Sequence, residues 1–140
     1  MSVNITVGTR LPAYPTSMGR VLLAGLPAHE RAARLVCADP QPLTRQTITS
    51  PAEIGALVEQ AETDGYALVD EELEDGLRSI AVPVHDRAGQ VVAAVNVSMH
   101  ASRRTLANCH DLLLPALRAT AAGIEADLHT AGRYARVATA

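Results

Sequence analysis

The 140-residue chain contains no lysine, no phenylalanine and no tryptophan, and only three tyrosines. Without large aromatics it has no stacking platform for single-stranded nucleic acid. Every basic residue is arginine, and the formal net charge is −3. That balance argues against non-specific nucleic-acid binding by these residues. Cysteine is scarce as well. Cys37 and Cys109 stand far apart, match neither CxxC nor a zinc spacing, and are expected to be reduced thiols of a cytosolic, hence cytoplasmic, protein. No apolar run approaches ~18 residues, so no transmembrane helix is indicated. The opening MSVNITVGTR does not read as a signal peptide. The five histidines (29, 85, 100, 110 and 129) are scattered, with no HExxH, GxSxG or Cys–His pattern. The expectation is therefore no catalytic residue, no metal, no cofactor and no enzyme.

What is present is a soluble, globular composition, 48% hydrophobic, at a length that suits one domain with a real core. Its most telling segment is Val91–His100. Side chains alternate faces along a strand. One face carries Val91, Ala93, Val95, Val97 and Met99, and is expected to be a core face. The other carries Val92, Ala94, Asn96, Ser98 and His100 and turns polar toward its end. Buried polar groups need partners, and a ligand is one possible partner.

Elsewhere, Val3–Val7 alternates as a short strand. It begins with no lead-in, which suggests continuation upstream. Thr16 opens a helix with Met18, Val21 and Leu22 at helical spacing, stopped by Gly25 and Pro27. A second helix spans roughly His29–Cys37. Ser50-Pro51-Ala52-Glu53 is a capping box with proline in the first helical position. It begins a helix buried through Ile54, Leu57, Val58 and Ala61 and stopped by Gly65. Tyr66–Val69 reads as a strand. Leu77–His85 and Val91–His100 form a hairpin about the turn Asp86–Gly89. Ser102 is expected to cap a helix that Pro115 restarts or kinks. Leu117, Ala121, Ile124 and Leu128 are its expected buried face, and Gly132 its end. A hairpin without βαβ crossovers predicts an α+β fold, an antiparallel sheet with helices packed on it.

Several constellations follow. Ser79 shares a face with Leu77 and Ala81. If that face meets Asn96 and Ser98, the small side chains form a concave patch floored by Ala81 and Ala94. The alternative is two serines bonded to backbone beneath a helix. The loop Asp70–Gly76 holds five carboxylates; it reads as a solvated surface loop, or as one that sets a carboxylate at the pocket mouth to orient a ligand. Asp70 is the best candidate for the second role, because it sits where the chain leaves the sheet. Arg78 either pairs with this loop or meets a ligand carboxylate. Gly8–Arg20 lacks the Gly-Lys-Ser/Thr ending of a P-loop. It does place Thr16 and Ser17 at a helix N-terminus suited to a carboxylate, unless Thr16 merely caps.

Three stretches carry a family resemblance: GTRLPAYPTSMGRVLLAGL, DGYALVDEELEDGLRSIAVPVHDRAGQVVAAVNVSMH, and the helix start Leu-Leu-Leu-Pro-Ala-Leu-Arg. In order and spacing they resemble the effector-binding domain of the IclR family of bacterial transcription regulators. The wording is nearest its protocatechuate, 4-hydroxybenzoate and β-ketoadipate branch. The resemblance runs from about Val7 to Leu128. It implies a GAF-like fold whose sheet carries a cavity for an organic acid. Carried over, the lining would be Ser17, Met18, Asp70, Ser79, Asn96 and Ser98. Ser79 stands where many members have Cys, and Asn96 where some have Ser. The resemblance also implies that residues 1–140 are one effector-binding domain, a fragment without the winged helix-turn-helix, the linker helix and the first strands of its sheet. An open sheet edge is then expected, with pairing between chains as one outcome.

The leading expectation is a ligand-sensing regulatory domain. It would bind a small organic acid at Thr16, Ser17, Met18, Asp70, Arg78, Ser79, Asn96, Ser98 and His100, with Arg78 or Arg10 meeting the charge. The partners would be a second copy, as homodimer or homotetramer, and operator DNA only through the missing domain. The alternatives are a hydrolase or isomerase using His100 or His85 with Asp70, and a purely structural oligomerisation domain.

Overall fold

The computed structural model describes the backbone of residues 4–138 and side chains to residue 131. Helices α1 (Ser17–Ala24), α2 (Ala28–Cys37) and α3 (Pro51–Asp64) precede strands β1 (Ala67–Asp70), β2 (Leu77–His85) and β3 (Val91–His100). The short α4 (Leu106–Asn108) and a π-helical turn (Cys109–Leu113) lead into α5 (Leu114–Ala138). The three strands form one antiparallel sheet in the order β1-β2-β3, the expected α+β architecture.

Local chemistry accounts for most boundaries. The Thr16 side chain caps α1 by accepting from the Gly19 N–H. Ser50 caps α3 from the Glu53 N–H, Pro51 takes the first turn, and Gly65 ends the helix in the left-handed region at φ 73°. In the hairpin turn the Asp86 carboxylate accepts from the Gln90 N–H at 2.9 Å, and Gly89 adopts φ 80°.

The sheet has a core on each face. On one, Ala67 and Ala81 pack with Val21, Leu23, Leu35, Ile54, Val58 and Ala61 from α1–α3. On the other, Ile80, Val82 and Val84 pack against Leu114, Leu117 and Ala121 of α5. The central strand β2 is thus buried from both sides.

Five expectations are corrected. Residues 4–7 are not a strand but an exposed loop, because no described strand pairs with them; Val3 lies outside the described residues. Leu22 is exposed and Leu23 buried, since α1 turns its Val21–Leu23–Ala24 side to the core. The expected core face of β3 is only partly buried: Val95 and Met99 pack on the α5 side, while Ala93 and Val97 are exposed on an edge strand. Thr105, not Ser102, caps α4; Ser102 is engaged by His100. Ile124 and Leu128 are exposed, and Gly132 lies inside α5, because α5 runs on past the sheet that buries Leu117 and Ala121.

Candidate functional site

The antiparallel register sets Ser79 directly opposite Ser98 and Ala81 opposite Asn96. These four share the face beneath α1. The first turn of α1 lies over them, and Ser17 Oγ is 2.8 Å from Ser79 Oγ. A cavity of about 260 Å3 opens there. Seven expected residues line it: Thr16, Ser17, Met18, Ser79, Asn96, Ser98 and His100. Its remaining walls come from Ile5, Leu11 and Pro15 ahead of α1, from Val69 of β1, and from Leu73–Leu77. Ala81 and Ala94 sit in the neighbouring core cluster rather than the lining, so the expected alanine floor lies deeper than the cavity.

Its hydrogen-bonding capacity can be counted group by group. Thr16 Oγ1 already caps Gly19 N at 3.1 Å and reaches the Pro12 and Ala13 carbonyls at 3.0 and 3.2 Å. Its role is structural, as the capping alternative had it. The N–H groups of Ser17 and Met18, orphaned at the helix start, have no acceptor among the described residues. The Ser17–Ser79 pair spends one proton on its mutual bond and keeps a second hydroxyl hydrogen to donate. Asn96 Nδ2 donates to Ser98 Oγ at 3.0 Å. His100 Nδ1 accepts from the Ser102 N–H at 3.1 Å, which puts the neutral ring's proton on Nε2. That edge packs on Gly76, where a Cβ would stand 2.7 Å from Nε2. Gly76 has φ +81°, so the position suits glycine twice over.

The lining includes the carboxylates of Glu74 and Asp75 and no arginine. An anion there would meet N–H and O–H dipoles rather than a cation.

Two expected residues are elsewhere. Arg78 projects from the opposite face of β2, donates from Nε to Asp70 Oδ1 at 2.8 Å, and reaches the Ala101 and Arg104 carbonyls. Its hydrogen bond to Asp70 is the main reason its pKa is raised. The pair brackets the end of the sheet, because Asp70 and Arg78 are register partners and neither lines the cavity. Arg10 is exposed and also outside it. The Asp70-based acid–base pairs do not form either: His100 bonds Ser102 and His85 bonds Glu125.

Sequence reasoning missed a buried ion pair. Arg20 NH2 meets Glu72 Oε1 at 2.7 Å, with the two side chains 4% and 7% exposed. Glu72 also accepts from the Ile48 N–H, and Arg20 Nε donates to the Tyr14 carbonyl. Thr44 and Thr47 hydroxyls donate to the Glu71 and Glu72 carbonyls at 2.6 Å each. The acidic loop is therefore not a freely solvated loop: it is fastened to α1 at Glu72, and its Leu73–Gly76 stretch walls the cavity. The one available signal was Arg20 lying one residue before Val21 on the helix side that packs inward.

Comparison with known proteins bears on this arrangement. Residues 1–126 match the family described as bacterial transcriptional regulator IclR C-terminal. The chain is 46% identical over 119 residues to the Pca regulon regulatory protein of Pseudomonas putida, covering 85% of this chain and 41% of that protein. It thus spans under half of that relative's length. Among solved structures, a proposed transcriptional regulator of Rhodococcus sp. RHA1 superposes with a TM-score of 0.88 at 53% identity, over 91% of this chain and 52% of that one. The inducer-binding domain of a PobR double mutant from Acinetobacter, in complex with 3-hydroxybenzoic acid, gives a TM-score of 0.80 at 34% identity. It covers 84% of this chain and 67% of that one.

Proposed function

Since the chain belongs to the IclR family of bacterial transcriptional regulators and matches its C-terminal domain, we propose that it is an effector-sensing domain for a small organic acid. Relatives named as regulators of the Pca regulon and of p-hydroxybenzoate hydroxylase favour the aromatic-acid branch. The observation that carries the reading is the meeting of α1's first turn with Ser79, Asn96 and Ser98 at one cavity. Free N–H groups and hydroxyls there suit a carboxylate. Glu74 and Asp75 repel one and accept from a hydroxyl at the other end of the same molecule, which orients it. The volume fits one substituted ring or a short dicarboxylate.

Sensing requires different affinity for two states of the assembly. α1 and the hairpin are the elements that such a ligand would bind together. The readout on DNA belongs to a winged helix-turn-helix domain outside these 140 residues, in a cytoplasmic homodimer or homotetramer. Among the described residues no helix is long and apolar enough to cross a membrane.

Calorimetric titration with protocatechuate, 4-hydroxybenzoate, β-ketoadipate and pyruvate tests the reading, with product assayed in the same cell. Saturable heat from at least one acid, without turnover, is expected. Turnover abolished by His100→Ala would support an enzyme instead, and a folded sample silent to all four acids would leave a structural module.

A further inference from the structure

A second and larger cavity lies at the other end of the sheet. About 560 Å3 of space separates the end of α1, the end of α3, the hairpin tip and the middle of α5. It is a cleft open to solvent rather than an interior void. The strand register explains the opening. β1 pairs with β2 only as far as Ala67–Ala81. From Val82 to His85, β2 has no strand neighbour on its β1 side among the described residues.

The polar groups of this cleft are few and differ in state. Glu62 is held by Arg31 at 2.9 Å. Glu125 is held by His85, whose backbone N–H and ring Nδ1 both meet Oε1, at 2.8 and 2.9 Å. These two bonds keep the Glu125 carboxyl below its ordinary pKa. In the neutral imidazole, donation from Nδ1 to Oε1 leaves Nε2 as an acceptor, and Nε2 has no partner among the described residues. Arg118 is the one arginine of the lining. It lies 6.0 Å from the Tyr66 ring centroid and donates to the Asp64 carbonyl, yet it joins no ion pair among the described residues.

Arg118 and Glu125 are seven residues apart on α5, about 10 Å along the helix. A cationic donor therefore stands at one end of the cleft and an imidazole acceptor at the other. The apolar wall between them includes Val82, Val91 and Ala121. We infer that this cleft is a second binding site, for a flat carboxylic acid bearing a hydroxyl at its far end. The carboxylate would pair with Arg118, away from Glu125. The ring would lie on the apolar wall, and the hydroxyl would donate to His85 Nε2. A para-hydroxylated benzoate has these groups at suitable ends. The inference stands apart from the first cavity, which contains neither residue. The two sites do share α1 as a wall. The end of that helix is seated tightly on β3, where a Cβ on Gly25 would stand 2.5 Å from Val91 Cβ.

The test uses the chain carrying Ser98→Leu, which fills the first cavity, and 4-hydroxybenzoate as the probe. Amide spectra report the position of binding. Saturable shifts of Gly25, Gly65 and Ala122 are expected. Arg118→Gln in the same background should weaken them at least tenfold, and Arg118→Lys should retain part of the binding. Silent amides around the cleft would overturn the site. Shifts of equal affinity in Arg118→Gln would overturn the assignment of the acid to Arg118.

Discussion

Individual residues decide whether the first cavity exists. Gly19 is the tightest point of the α1 entry: a Cβ there would stand 2.2 Å from the Ala13 carbonyl oxygen and 2.4 Å from Ala13 Cα. Both atoms are backbone and cannot swing away. Overpacking of this kind costs about 1–3 kcal/mol, and Gly19→Ala should lower the urea midpoint by the corresponding amount. Arg20 and Glu72 carry a second test. Removing one partner of a buried, hydrogen-bonded ion pair leaves the other charge uncompensated, at about 3–5 kcal/mol. Denaturation of Glu72→Gln and Arg20→Met should show losses of that order. The double variant Arg20→Met/Glu72→Leu should lose less than the sum of the two. At this scale the sequence was legible where chemistry is local. Thr16, Ser50 and Gly65 cap as their types and spacings predict. Arg20 with Glu72 was not legible, because 52 residues separate the partners and neither stands in a local pattern.

At the scale of elements, the hairpin was readable and the long helix was only half so. Period-two alternation and the Asp86–Gly89 turn placed β2 and β3 almost to the residue. The faces were harder, because burial depends on neighbours. β3 lies at the edge of the sheet, so its apolar face is only partly covered. Arg78 pairs with Asp70, one of the two roles offered for it, and both lie on the face of the sheet away from Ser79, because Arg78 is one step out of phase with it. Helix α5 offers a prediction of its own. The hydrogen bonds from His85 lower the pKa of Glu125 in the fold. A carboxyl whose folded pKa is depressed contributes stability that is fully present above its unfolded pKa. That contribution is lost as pH falls through the folded value. Stability of the chain should therefore decline with acid below about pH 4.3, the ordinary glutamate value. Glu125→Gln should flatten part of that decline while costing stability at neutral pH. Urea unfolding repeated from pH 7 to pH 3 checks both signs, and an unchanged slope in the variant would remove Glu125 from the account.

For the molecule as a whole, the site arises from a join that no single segment encodes. α1 supplies free N–H groups and Ser17. The hairpin supplies Ser79, Asn96 and Ser98, and the loop pinned by Glu72 closes the wall. The sequence carried the polar stripe as an unsolved count of hydrogen bonds; the structure sets Ser79 opposite Ser98 and satisfies them separately, Ser79 from Ser17 and Ser98 from Asn96. Leu73 was not foreseen in the lining, and Glu74 and Asp75 were not singled out among the loop's five carboxylates, because loop placement follows from the Arg20 anchor and not from any periodicity. The central claim is that an organic acid binds between α1 and the hairpin. Amide spectra of the unmodified chain titrated with protocatechuate test it most directly. The account predicts that Ser17, Met18, Ser79 and Asn96 shift together and saturate, and that Ser98→Leu abolishes this set while the rest of the spectrum stays folded. Binding that leaves those four amides unmoved, or that shifts them with unchanged affinity in Ser98→Leu, would contradict it.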